Sequence, residues 1–479
     1  MPTVHITIND KNLTVESGLT ILQAARENGI EIPTLCHFEG LPDKANCRIC
    51  MVEIEGMRAY QPACATRVSE GMVIHTDSDG VRAARKTTLE LLLANHSVDC
   101  HHCLRIGSTK EPDLDPRFCE MCFWCDCERD GFCELQTLAR AYHVDVLPYI
   151  QHDKDHELDL SLGSVVRNPN KCIKCRRCVE VCGEVQTVHN LSMANRGRAT
   201  MVVPELGKLM ADSACVRCGR CVEVCPTGAV FMQEHKDEVL YYAHSYDHDT
   251  VVQLSANVIP ELTALYKVGL GEITLKKVCA ALHKLGFQTV MSSEHAEKLA
   301  ADEMADTIER NVENGPVIVS NSFAVKNFVK KFFPDMEAQI YFCKGSEKQF
   351  AKYVKRLEGD KPVKSVLITN VLEQAAEAKE EADIDFVLNA RELYRLFLRT
   401  GGAPARKYEE ELDKVWEDPP IRYEELLREA DWNFGKEPEE VTVTVNGKKR
   451  KCAIAHNLGQ VRLLLEGSYT KYDVVRLMA

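Results

Sequence analysis

Residues 4 to 8 read Val-His-Ile-Thr-Ile, apolar alternating with polar, and Leu13-Thr-Val15 alternates again after the turn signal Asn9-Asp10-Lys11. This pattern predicts an antiparallel hairpin with one buried face. A helix follows: Thr20 with Gln23 forms a capping box, Ile21, Leu22 and Ala25 make an apolar stripe, and Gly29 supplies the stop. Val81 to Ala94 is a second predicted helix, with Leu89, Leu92 and Leu93 on its apolar side. Beyond residue 236 short apolar runs precede helical stretches, at Val317–Val319, Ser365–Ile368 and Ile384–Leu388, which predicts α/β structure. Val441–Val445 and Lys451–Ile454 flank Asn446-Gly447, a strong hairpin signal. The Glu- and Lys-rich stretch 372–440 reads as solvated helix faces and loops, with a turn at Pro419-Pro420.

Cysteine placement changes this picture most. Of 22 cysteines, 19 lie before residue 226. Cys172, Cys175, Cys178 and Cys182 form one C-x2-C-x2-C-x3-C run, and Cys215, Cys218, Cys221 and Cys225-Pro226 repeat it. Two such runs in tandem match the two-cluster bacterial ferredoxin pattern. Three thiolates of one short loop reach three irons of one cubane, and the fourth opens a helix that leads to the other cluster. The expected sets are therefore Cys172, Cys175, Cys178 and Cys225, and Cys215, Cys218, Cys221 and Cys182. Zinc takes four ligands in pairs and does not explain two interleaved sets. Gly183 stands where the second run has Pro226. Arg176, Arg177, Arg217 and Arg220 lie between the thiolates, where they either offset cluster charge or face water.

Upstream, Cys36, Cys47, Cys50 and Cys64 are spaced C-x10-C-x2-C-x13-C after the hairpin and helix, the order of a β-grasp ferredoxin. Gly40, Ala45 and Asn46 are small enough for loop amides to approach sulfur. The spacing departs from the plant type. It resembles the N-terminal 2Fe–2S domain of the large iron–sulfur subunit of respiratory complex I and of multi-cluster iron hydrogenases. In those families H-x3-C-x2-C-x5-C binds a 4Fe–4S cluster, and here that motif is split by 24 extra residues. One parsing uses His96, Cys100, Cys103 and Cys133 and leaves Cys119, Cys122, Cys125 and Cys127. The other uses His96, Cys100, Cys127 and Cys133 and leaves Cys103, Cys119, Cys122 and Cys125. Either way four thiolates remain for an extra iron–sulfur or zinc site in the 101–127 insertion. His101 and His102 are read as ordinary polar residues. A full complement of one 2Fe–2S and four 4Fe–4S centres is about 18 iron atoms, about four fewer with zinc in the insertion.

The second half resembles the catalytic domain of iron-only hydrogenases at Gly315–Pro334, Phe342–Gly345, Asp385–Leu393 and Ala453–Gly459. That family places metal-binding cysteines where this chain has Asn321-Ser322 and Asn370, and two more beyond Ala479. Amide and hydroxyl groups do not replace thiolates on iron. Cys279, Cys343 and Cys452 read as small apolar residues. The expected architecture is α+β and multidomain: a β-grasp 2Fe–2S domain (1–80), a histidine/cysteine-ligated segment with a cysteine-rich insertion (81–150), a double 4Fe–4S ferredoxin-like domain (151–235) and an α/β iron-hydrogenase-like domain without its H-cluster (236–479).

The resemblance implies an electron-relay subunit with no catalytic residues of its own. Its partners would be a flavoprotein NAD(P)H-binding subunit, a thioredoxin-like 2Fe–2S subunit, ferredoxin and a second catalytic subunit, in a higher-order oligomer. Electron-bifurcating transhydrogenase and nickel–iron hydrogenase complexes fit. Alternatives are an iron hydrogenase with an altered site, an NAD-linked formate dehydrogenase subunit, or a docking scaffold in the second half. The net charge of −13 argues against nucleic acid. No leader signal and no apolar run long enough to span a bilayer is read, and clustered cysteines then suit a reducing cytoplasm. No G-x-G-x-x-G or P-loop appears.

Overall fold

The computed structural model describes residues 2–96, 129, 132–144, 149, 156–357, 361–400, 412–413, 422–427 and 434–479. The alternation at the N-terminus becomes β1 (Thr3–Ile8) and β2 (Lys11–Glu16), paired antiparallel with Ile8 opposite Lys11. β3 (Met51–Ile54), β4 (Gln61–Pro62) and β5 (Val73–His75) complete a sheet ordered β2-β1-β5-β3-β4, with β1 and β5 parallel. Helix Ile21–Glu27 crosses one face, burying Ile21, Leu22, Ala24 and Ala25 against Ile6, Ile8 and Val52. Its capping box is formed: Gln23 N–H donates to Thr20 Oγ1 at 3.2 Å, and Thr20 N–H donates to Gln23 Oε1 at 2.9 Å. Thr20→Ala removes both the oxygen and the reciprocal geometry. It is expected to cost about 1 kcal/mol in chemical denaturation, with no loss of iron from the chain.

The second helix runs Asp79–Ala94, two residues earlier than its apolar stripe indicates. Ser78 starts it by accepting from Val81 N–H at 3.3 Å. The helix locks to the β-grasp sheet through Arg85, 1% exposed, which donates to Met51 O at 2.6 Å and to Tyr142 Oη at 2.9 Å.

Two short antiparallel pairs frame the cysteine runs: β6 (Val165–Arg167) with β9 (Val230–Met232), and β7 (Leu191–Ala194) with β8 (Met201–Pro204). Nine strands follow among the described residues: β10 (Asp249–Leu254), β11 (Thr289–Ser292), β12 (Val317–Ser320), β13 (Ile340–Phe342), β14 (Val363–Ile368), β15 (Phe386–Leu388), β16 (Glu439–Val445), β17 (Lys448–Ala455) and β18 (Val474–Leu477). They make two sheets. β11-β10-β14-β15 is all parallel. β13-β12-β18-β17-β16 is parallel except for its terminal hairpin, β16 with β17. Asn446 and Gly447 turn that hairpin at φ 52° and 75°, the left-handed pair that the dipeptide predicts.

The cysteine-run module packs on both sheets. Leu191, Val202, Met210 and Met232 share a core with Val251, Met291 and Leu367 of the first sheet. Val188 and Val216 share another with Ile318, Ala453 and Val475 of the second. The reading of 372–440 as wholly solvated is corrected in part. Helices Leu372–Glu380 and Ala390–Thr400 bury Glu377 and Glu392, because hydrogen bonds wait inside: Glu392 accepts from the His235, Lys236 and Asn389 N–H groups. Among the described residues no helix is long and apolar enough to cross a membrane.

Candidate metal centres

Cys36, Cys47, Cys50 and Cys64 are all buried in the β-grasp loop. Left-handed backbone at Ala45 (φ 51°) and Arg48 (φ 59°) folds amides inward. Ile49 N–H lies 3.5 Å from Cys47 Sγ, and the Asn46 and Cys47 amides reach Cys36. Contacts with Cys47 and Cys64 hold the Cys36 thiol down at about 2 while pushing both of those partners up. Cys50 is held down in the same way by Cys64. Four thiols this close ionise together only around a cationic centre, so the donor set fits one. Gly40 also makes room for a distant side chain. A Cβ there would lie 2.4 Å from the Phe434 ring, so its bareness admits a side chain from the far end of the fold.

The two runs adopt one repeated conformation. Lys174 (φ 59°) and Arg176 (φ 73°) are left-handed in the first, Arg217 (φ 64°) and Gly219 (φ 77°) in the second. Non-glycine residues adopt this region at a cost of roughly 1 kcal/mol each. The return is four equivalent amide–sulfur contacts: Lys174 N–H to Cys172 Sγ at 3.4 Å, Arg177 N–H to Cys175, Arg217 N–H to Cys215 and Arg220 N–H to Cys218. One cavity is lined by Cys172, Cys175, Cys178 and Cys225. A second is lined by Cys182, Cys215, Cys218 and Cys221. Each cavity thus takes one lining cysteine from the other run. Burial raises the Cys172, Cys178, Cys182 and Cys221 thiols, Cys182 to about 11, and neighbouring cysteines of the same set add to the rise. Such a nest suits thiolates whose charge is met by metal. The sulfurs ring cavities, an arrangement with room for a polynuclear centre.

Helix placement departs from expectation. The fourth cysteines do not open helices. Short helices begin inside the loops, at Arg177 and Arg220, and Cys182 and Cys225 lie just beyond their ends. Pro226 stops the second one because it has no N–H to continue. Gly183 lets the first run on as a π turn over Val181–Val185, closed by Gln186 N–H to Val181 O at 2.9 Å.

His96, 1% exposed, sits at the end of helix Asp79–Ala94, and buried Cys133 precedes helix Glu134–Ala141. Cys100, Cys103, Cys119, Cys122, Cys125 and Cys127 lie outside the described residues, and the choice between the two parsings lies there with them. Cys133 shares one apolar cluster with Cys36, Cys47 and Cys175, joined by Leu35, Ile49, Leu89 and Leu93. Three cysteine groups thus meet in one core.

The four interleaved arginines divide. Arg217 pairs with Glu380 at 2.5 Å and Arg220 with Glu223 at 2.9 Å, while Arg176, on the rim, reaches Glu180 at 3.1 Å. Arg177 is 3% exposed and bidentate to Glu134 at 2.6 and 2.8 Å. No sequence signal linked residues 43 positions apart.

In the hydrogenase-like half, Asn321-Ser322 follows β12 and Asn370 lies just beyond β14, both at carboxyl ends of parallel strands. Their polar groups are used by the fold. Ser322 Oγ donates to Glu373 and accepts from Val325 N–H, capping helix Phe323–Phe332. Asn370 Oδ1 accepts from Ala390 N–H at 2.9 Å, and Asn370 Nδ2 donates to Asn257 O at 3.3 Å. Burial pushes the Glu373 carboxyl up despite the Ser322 hydrogen bond. Cys279 and Cys452 are buried and Cys343 half-buried, each separately.

Residues 1–79 match a 2Fe-2S iron-sulfur cluster binding domain, 171–229 a 4Fe-4S dicluster domain, and 248–479 the C-terminal domain of the iron only hydrogenase large subunit. The NADP-reducing hydrogenase subunit HndD of Solidesulfovibrio fructosivorans is 31% identical over 100% of this chain and 87% of its own length. Iron hydrogenase 1 of Clostridium pasteurianum is 28% identical over 85% of this chain and 69% of its own. The NADH-ubiquinone oxidoreductase 75 kDa subunit of Reclinomonas americana is 32% identical over 43% of this chain but only 26% of its own length.

Proposed function

Because the chain belongs to the family of HndD and the iron-only hydrogenase large subunits, we propose that it is the iron–sulfur relay of an NAD(P)-linked complex and makes no hydrogen chemistry of its own. Cys36, Cys47, Cys50 and Cys64 would hold a 2Fe–2S centre. Cys172, Cys175, Cys178 and Cys225 would hold one 4Fe–4S centre, and Cys182, Cys215, Cys218 and Cys221 another. His96, Cys100, Cys133 and either Cys103 or Cys127 would hold a further one. When bound, such centres supply one-electron carriers with no substrate site. The chain's residues fix their spacing, keep water from the sulfurs and offset their charge.

The observation that carries the reading is the contrast between the halves. The front gathers cysteines from three groups into one apolar core. The rear holds Asn321, Ser322 and Asn370 where the family has metal-binding cysteines, and the Ser322 and Asn370 side chains serve hydrogen bonds of the fold. By this reading a flavoprotein subunit exchanges electrons with NAD(P)H, the thioredoxin-like 2Fe–2S subunit sits beside it, and ferredoxin or a second catalytic subunit takes the other end, all in the cytoplasm. Anaerobically purified chain is expected to hold about 18 iron atoms, or about 14 with zinc in the insertion, and to give no hydrogen oxidation with a dye acceptor. Robust turnover of hydrogen by the chain alone would defeat the relay reading.

A further inference from the structure

Among the described residues, Arg177 pairs with a segment that precedes both cysteine runs, and it does so from inside the core. Its guanidinium touches three segments, each next to a cysteine. It pairs with Glu134, the neighbour of Cys133, at 2.6 and 2.8 Å. It reaches the carbonyl of Val224, the neighbour of Cys225, at 3.5 Å. It stacks 5.4 Å from the ring of Phe38, two residues beyond Cys36. Its own chain neighbour is Cys178. Only 3% of the residue is exposed, so solvent screens the charge weakly.

We propose that the Arg177–Glu134 pair, its guanidinium buried and its carboxylate 42% exposed, is a positioning element that sets the relative potentials of the front centres. The cationic end lies toward the Cys36 and Cys175 groups, and the anionic end toward Cys133. A fixed positive charge in a low-dielectric core favours the reduced, more negative form of any centre beside it. Arg177 therefore raises the potentials of the 2Fe–2S centre and the first 4Fe–4S centre, and Glu134 tempers that rise. Each reduction adds one electron with no proton taken up by the pair, because the arginine stays charged throughout. The inference rests on the relay reading and deepens it.

The test is an EPR-monitored redox titration of the full-length chain. Arg177→Gln is expected to lower the midpoint potentials of both centres, and Glu134→Gln to raise them. The double variant is expected to fall between Arg177→Gln and the original values, because the buried cation faces both centres while the carboxylate is partly screened by solvent. Arg177→Lys keeps the charge and loses the fork, so it shifts less than Arg177→Gln. A general loosening of the core does not produce opposite signs. Unmoved potentials in Arg177→Gln with its iron intact would overturn the proposal. So would a fall in Glu134→Gln, which keeps the idea exposed should Arg177→Gln lose iron. Absence of the centres from the unaltered chain would instead sink the relay reading itself.

Discussion

Cys225→Ala is expected to strip about four iron atoms and abolish the EPR signal of the first 4Fe–4S centre, leaving the second centre in place. The residue belongs to the second run by sequence, yet it lines the cavity of the first, with Cys172, Cys175 and Cys178. Pairing variants reads the exchange directly. Cys172→Ala with Cys225→Ala strikes one centre twice, so about four irons are lost in total. Cys215→Ala with Cys225→Ala strikes two centres, so about eight are lost. If each run held its own centre, the two double variants would exchange outcomes. Electron transfer from a flavin donor to ferredoxin is expected to fall below detection in either case, since a relay broken at one centre conducts nothing. The measurement is iron analysis with EPR on each variant.

Gly219→Ala is the second large effect. The residue sits at φ 77° between Cys218 and Arg220, and an added Cβ would lie 2.3 Å from Leu372 Cβ. A Cβ is not the free end of a side chain, so either the cysteine loop or helix Leu372–Glu380 must move. The left-handed backbone adds its own cost. Together these are expected to destabilise by roughly 3 kcal/mol and to lose the second 4Fe–4S centre. Gly447→Ala is the internal control: φ there is 75°, with open space around the new methyl. It is expected to cost about 1 kcal/mol and no iron. Denaturation midpoints with iron content check both, and equal effects from the two would dismiss the contact with Leu372.

What the sequence disclosed was local. The hairpin of β1 and β2, the Thr20 cap and the Asn446-Gly447 turn depend on residues a few positions apart, and each formed as its residues dictate. That Cys225 would stand by the first run and Cys182 by the second was also legible from the repeated spacing, and each lines the other run's cavity. What stayed hidden was long-range. Nothing near Arg177 points to Glu134, and nothing near Gly40 points to Phe434. The π turn at Val181–Val185 depends on a glycine whose effect appears only beside the proline of its sister run. Burial of Glu377 and Glu392 contradicts their composition, since partners from other elements meet them.

Phe434 rests on Gly40 and lies 5.7 Å from the Phe38 ring, a clasp between the β-grasp cysteine loop and the segment before β16. Loop closure across so many residues adds little to the equilibrium cost, because that cost grows only with the logarithm of length. Its kinetic weight is greater: contacts of high sequence separation form late. The β-grasp sheet can therefore assemble early while its cysteine loop still lacks a lid. Translation must pass residue 434 before that loop gains this contact.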